Sequence, residues 1–253
     1  MAHRLVRFGS TALAVGAFVS PAVAAVASVP PAAVASVPLI RATGQRSMNW
    51  SGYAVPGVFT EAGGSWVVPK VAPSATTTYS STWIGVDGLA NQNLIQTGTE
   101  SDVINGIVHY DAWWEVLPAA EQVISKITVS PGDHMTASVV HVKGRKWTVS
   151  LTDVTSGASF TLTRGYRGTG MSAEWIEERP QVGRSLATLS SYGSTTFIGL
   201  TDNGASPGLV PADAISMVGS VGGPAISTPS APSPLHDAFT VAYGAVAPPP
   251  PPG

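Results

Sequence analysis

Apolar and polar residues alternate in short runs along most of the chain, and Gly, Pro, Asn, Asp or Ser closes each run. Examples are "SWVVP", "STWIGVDG", "NLIQTGT", "HYDAWWEV", "KITVSPGD", "HMTASVVHV", "KWTVSLTDV", "SFTLTRGY", "AEWIEE", "TTFIGLTD" and "DAFTVAYG". Successive side chains of an extended strand point to opposite faces, so a period of two predicts strands. The runs recur about every ten residues, which predicts an antiparallel sandwich or barrel. "SPGD" (130–133) and "TSGA" (155–158) read as hairpin turns. No long window carries the 3.6-residue period of an amphipathic helix. Composition does not break within 49–245, so one all-β domain is expected there.

The ends read differently. "MAHRLVR" is a basic start, "STALAVGAFVS" a short apolar stretch, and Ala22-Val23-Ala24 a small-residue cleavage site. Residues 1–24 are therefore expected to be a secretory signal, too short in its apolar part to span a bilayer. Residues 25–48 are Ala/Val/Pro-rich and lack any acid, as a leader or short pro-segment would. Residues 246–253 end in a proline run, expected to form an exposed, disordered stub outside any sheet.

Charge narrows the function classes. The 253 residues carry 13 basic and 15 acidic side chains, a net charge of −2, with only 11% charged. That balance gives no electrostatic footprint for nucleic acid and no polybasic patch for a membrane. The chain has no cysteine, which removes thiol catalysis, thiolate metal sites and disulfides. No G-x-S-x-G or H-E-x-x-H motif occurs, and no Asp-Thr-Gly or Asp-Ser-Gly pair.

Against this sparse background, "AEWIEERP" (173–180) holds three of the seven glutamates. Parity puts Glu174, Ile176 and Glu178 on one strand face, with Trp175 and Glu177 on the other. In "YDAWWEV", Asp111, Trp113 and Glu115 share a face. In "STWIGVDG", Trp83, Gly85 and Asp87 align, and "NLIQTG" turns Gln96 away from Ile95. One such face alone is compatible with a solvated sheet surface. Repeated in three segments, acids and indole rings together suit a groove that binds an extended ligand.

The ordered set "NWSGY" (49–53), "WIGVDG" (83–88), "LIQTG" (94–98), "YDAWWE" (110–115) and "AEWIEE" (173–178) resembles the glutamic endopeptidases, the eqolisin family. The resemblance covers roughly 49–200. It implies a concanavalin A/lectin-like β-sandwich of two large antiparallel sheets with the cleft on the concave sheet. It implies a secreted, acid-active endopeptidase without cofactor or metal, acting on polypeptides through a glutamine–glutamate dyad. The matching residues are Gln96 and Glu178. Trp83 and Asp87 match supporting positions, as do Asp111 and Glu115; Trp113 and Glu174 share those faces. A chain acting alone is expected. Arg179 follows Glu178 where the fungal pattern has an acid, a change that favours ionised carboxylate nearby.

The chemistry suits these residue types. A carboxylate can take a proton from water and return it to the leaving amine. An amide can donate to the oxyanion without titrating. Two rivals remain from sequence: a glycoside hydrolase using paired carboxylates, and a carbohydrate-binding module on a related sandwich. Glu174 and Glu178 lie about 13 Å apart along an extended strand, far beyond the separation of about 5–5.5 Å that retaining hydrolysis requires.

Overall fold

The computed structural model describes the backbone at 40–41 and residues 45–252 in full. The expected signal segment and most of the leader lie outside these described residues. The strands are β1 (Ile40–Arg41), β2 (Arg46–Ser47), β3 (Trp50–Pro56), β4 (Glu61–Val67), β5 (Ser81–Val86), β6 (Ile95–Ile104), β7 (Ile107–Val116), β8 (Gln122–Val123) and β9 (His134–Lys143). They continue as β10 (Lys146–Asp153), β11 (Ser159–Gly165), β12 (Ser172–Glu178), β13 (Gln181–Val182), β14 (Ser185–Leu186), β15 (Ser194–Asp202), β16 (Ala214–Val218), β17 (Ala225–Pro229) and β18 (Phe239–Tyr243). Among the described residues, no helix is long and apolar enough to cross a membrane.

The main ladder runs β11-β10-β9-β4-β15-β18-β17-β16-β3-β12-β5-β6-β7-β8. It folds over at β16, which bonds to both β17 and β3, and so makes the two layers of a β-sandwich. Every pairing along it is antiparallel; β2 alone joins in parallel, against β16. Arg46 and Ser47 belong by sequence to the leader, yet they take part in this sheet.

The core lies between the layers. Tyr53, Ile84, Val86 and Trp175 of one layer meet Trp66, Val149, Phe197 and Phe239 of the other. Two indole N–H groups of this core have acceptors: Trp175 Nε1 donates to Gly63 O at 2.9 Å and Trp66 Nε1 to Thr99 Oγ1 at 3.1 Å. An unmade bond there would cost about 1–3 kcal/mol. Truncating one such ring to Ala is worth about 3–5 kcal/mol.

The two layers differ in pattern. β10 alternates strictly, burying Trp147, Val149, Leu151 and Asp153 while the residues between face outward. In contrast β5 and β12 are buried at every position, because side chains such as Trp50, Leu94, Trp113 and Ile215 pack with Trp83 and Ile176 on their second face. "TSGA" closes the β10–β11 hairpin as expected, with Gly157 N–H donating to Asp153 O. "KITVS" (126–130) alternates in burial but forms no strand. Ile127 and Val129 dip into the core, so the period of two is real while no neighbouring ladder pairs with it. The pair β16 and β17, ending in Pro229, went unread in the sequence.

Candidate active site

Cross-strand register assembles the faces that parity alone could only suggest. Ala54, Glu174, Gly85, Gln96 and Glu115 form one row across β3, β12, β5, β6 and β7. Gly52, Ile176, Trp83, Gly98 and Trp113 form the next, and Trp50, Glu178, Ser81, Glu100 and Asp111 the third. Residues two apart share a face, so all three rows look the same way, away from the inter-layer core. Trp50, Trp83 and Trp113 carpet this face together with Leu94 and Ile176. The edge of Trp50 meets Trp83, with ring centroids 5.1 Å apart. Gly98 makes the carpet possible. A Cβ there would lie 2.2 Å from Thr82 O and 2.6 Å from the Trp83 Cβ, so no other residue fits without moving backbone.

Within the carpet sits a cavity of about 10 Å³, lined by Ser81, Gln96, Glu100, Trp113, Glu115, Glu121, Glu178 and Pro180. Its volume is roughly that needed for a single water molecule. Four carboxyl groups and one carboxamide converge on it.

Glu178 is almost wholly buried. Asn49 Nδ2 donates to its Oε1 at 3.1 Å, and Trp83 Nε1 to its Oε2 at 2.8 Å. Donors at both oxygens favour the anion, but burial, with the nearby Glu115 charge adding to it, outweighs them and pushes the group up to about 8. Arg179 does not pair with it; its guanidinium donates to Met48 O at 2.6 Å. Glu178 is thus no surface acid. Gln96 is also buried, and its Nε2 donates to Glu115 Oε2 at 2.6 Å. That bond orients the carboxamide.

The other expected residues divide. Trp113 and Glu115 line the cavity, and Trp83 reaches it through Glu178. Asp111 stands beside it, opposite Glu100 in the ladder, raised by burial and partly relieved by His109. Glu174 is fully buried and raised by burial, with Asp87 rather than Glu178 as its charged neighbour. Asp87 lies beyond the end of β5, with φ of 71°, and does not align with Trp83. Its carboxylate accepts from Tyr166 Oη, Gly170 N, Met171 N and Asn91 Nδ2 at 2.6–2.9 Å. It clamps the 166–171 loop to the rim of the site. Burial and the Asp87 bond hold the Tyr166 hydroxyl in its protonated form.

Sequence reasoning missed Asn49, Glu100 and Glu121. Glu100 shares parity with Gln96 and could have been found by extending that face argument. Glu121 lies in the connection between β7 and β8, where no periodicity speaks. Among the described residues, no group of three or more His, Asp or Glu side chains is arranged for a metal ion.

Comparison with known proteins gives the family and the fold. The Peptidase A4 family model matches residues 48–228. Aspergillopepsin-2 of Aspergillus niger is 29% identical over 196 residues, covering 68% of this chain and 70% of that protein. Scytalidopepsin B of Scytalidium lignicola is 29% identical over 136 residues, about half of each chain at 51%. The crystal structure of scytalido-glutamic peptidase with a transition state analog inhibitor is similar in fold, with a TM-score of 0.65 at 20% identity over 78% of this chain and 98% of that one. Aspergilloglutamic peptidase from Aspergillus niger gives 0.57 at 30% identity over 66% and 99%.

Proposed function

The chain belongs to the Peptidase A4 family and is a hydrolase of the glutamic peptidase kind, and from that premise we propose an acid-active endopeptidase run by Gln96 and Glu178. The observation that carries this reading is that both side chains, from β6 and β12, line one cavity with room for a single water.

Glu178, ionised, takes a proton from the water as the water oxygen adds to the scissile carbonyl carbon. The carbonyl oxygen becomes an oxyanion. The Gln96 NH₂, oriented by its bond to Glu115, is the donor for that oxyanion. Glu178 then passes its proton to the leaving nitrogen as the C–N bond breaks. The resting arrangement supports the first step, because the carboxyl groups of the cavity titrate as a coupled set. The N–H groups of Asn49 and Trp83 favour negative charge on Glu178, against the opposing effect of burial. Once Glu178 is ionised, repulsion favours protons on its neighbours, and operation in acid is the part of the proposal that rests on the likeness to the glutamic peptidases.

Residues 1–24 support secretion, and the substrates on this reading are extracellular polypeptides. Retaining sugar hydrolysis finds no support in the ladder, since Glu174 and Glu178 occupy different rows and only Glu178 reaches the cavity. The test is hydrolysis of an acid-unfolded protein by the purified chain in the presence of a chelator and a pepstatin-type inhibitor. Activity lost in both Glu178→Gln and Gln96→Ala, with the fold retained, supports the dyad; full activity in Glu178→Gln removes it.

A further inference from the structure

A second concavity opens where β6 begins and β7 ends, just past the row that holds Gln96 and Glu115. It encloses about 480 Å³, a volume usual for ligand pockets, and is lined by Asn93, Val116, Leu117, Pro118, Gly165 and Arg167. Hydrogen bonds fix each of its walls. Asp87 accepts from Tyr166 Oη, Gly170 N and Met171 N, which holds the turn that carries Arg167. A Cβ at Gly168 would collide with Tyr166 Oη and Asp87 Oδ2, so the turn closes this tightly only with glycine. The Asn93 wall hangs from the same carboxylate: Asn91 Nδ2 donates to Asp87 Oδ1, and Asn91 Oδ1 accepts from Asn93 N, both at 2.8 Å. At the end of β7, Leu117 N donates to Leu94 O and Ala119 N to Val116 O. Leu117 also packs against the tryptophan carpet.

Among the described residues, neither the Arg167 guanidinium nor the Asn93 carboxamide has a hydrogen-bond or ion-pair partner. The charged groups around them are engaged elsewhere. Asp87 is occupied by the donors just named, Glu115 by Gln96, and Arg164 lies over the Trp114 ring, 5.4 Å from its centroid. Arg145 meets this turn through its carbonyl, which accepts from Tyr166 N. Arg167 is the one cation among the residues that line this pocket and the water-sized cavity, where four carboxyl groups gather. We propose that the pocket is a specificity subsite of the peptidase, in which Arg167 and Asn93 receive a carboxylate of the substrate. Val116, Leu117 and Pro118 pack around the aliphatic part that carries it. The proposal rests on the function given above and names the substrate class that the same groove selects. A guanidinium presents paired N–H donors that match the two oxygens of a carboxylate, and the amide adds an uncharged donor. Asn93 precedes Gln96 on one strand by about 10 Å, so the preferred group belongs about three residues from the scissile bond. A glutamate side chain and the C-terminus of a peptide offer this chemistry alike.

Peptides carrying Glu, Gln or Lys at each position on either side of one bond, with free or amidated C-termini, supply the test. At about pH 5.5, where a glutamate of the substrate is ionised, kcat/KM is expected to favour Glu over Gln by about three- to tenfold at one position. That advantage fades below about pH 4, where the substrate carboxyl is protonated while the guanidinium keeps its charge. The Glu-to-Gln ratio falls to near one in Arg167→Met, and Lys becomes the favoured residue in Arg167→Glu. Ratios taken within one variant do not depend on how much of it is folded. A preference that follows the free C-terminus instead of Glu supports the subsite and assigns its carboxylate to the chain end. Calorimetric binding of the same peptides to the Glu178→Gln protein needs no cleavage. Tighter binding of the carboxylate peptide there, lost on adding Arg167→Met, supports the subsite; found beside a wild type that cleaves nothing, it overturns the peptidase reading alone. Equal treatment of Glu and Gln, and of free and amidated ends, at every position overturns the subsite. So does a preference that survives Arg167→Met.

Discussion

Glu177 and Glu178 are consecutive, both almost wholly buried, and both pushed up to about 8 by burial. They nevertheless occupy different worlds, because β12 turns them to opposite faces. Glu177 points between the layers, where Thr82 Oγ1 donates to it at 2.7 Å and Thr195 Oγ1 at 3.5 Å. Glu178 points to the carpeted face, where two N–H donors grip it beside a water-sized cavity and three further carboxyl groups. A raised carboxyl alone therefore does not mark the reactive group. On the proposed reading, the N–H donors and the water-sized room beside it set Glu178 apart from Glu177.

That contrast can be broken most sharply by exchanging each acid for its amide. Glu178→Gln is expected to lower kcat/KM on an unfolded protein by ~10²–10⁴-fold, while Glu177→Gln stays within about threefold of wild type. An equal loss in both variants would erase the distinction between the faces. Next in size is Gln96→Ala, expected to cost ~10²–10³-fold in kcat through loss of the oxyanion donor. Steady-state kinetics with circular dichroism to verify folding measures both.

A third prediction concerns pH. Glu100, Glu177 and Glu178 all titrate above the ordinary value of 4.5 in the folded chain. A folded state that binds protons more tightly than the unfolded chain is most stable where those protons are present. Their contribution is complete below about 4.5 and is lost as pH climbs to about 8. The melting temperature is expected to fall across that window by roughly 10 °C. Glu177→Gln should flatten part of the fall, since an amide can accept from Thr82 without ionising. Calorimetry of the inactive Glu178→Gln protein and its double variant, free of self-digestion, separates the two faces. The smallest effect is expected from Trp175→Phe on the core face. It removes one indole bond to Gly63 O, costing about 1 kcal/mol or ~2–4 °C, with kcat/KM preserved.

The same contrast explains what could be read in advance. Period-two alternation reports side-chain direction, so the strands and the sharing of a face by Glu174 and Glu178 were legible in single segments. Alternation does not report partners. It therefore could not tell that Glu174 sits in the Gln96 row beside Asp87 while Glu178 sits in the Glu100 row beside the cavity. Nor could it distinguish the extended but unpaired 126–130 from a true strand, since burial alternates in both. The fold-over at β16 was silent because one short strand serves two layers. Glu121 was silent because a connection has no period.

The route from β2 to Glu178 limits how far the front of this chain can be trimmed. Ser47 Oγ donates to Asn49 Oδ1 at 3.0 Å and accepts from the N–H groups of Asn49 and Trp50. Asn49 in turn holds Glu178. A cut falling after Ser47 would discard the hydroxyl that aims this amide and loosen the hold on Glu178, the general base of the proposed mechanism. Removal of upstream sequence that spares Ser47 leaves the contacts from Ser47 through Asn49 to Glu178 in place.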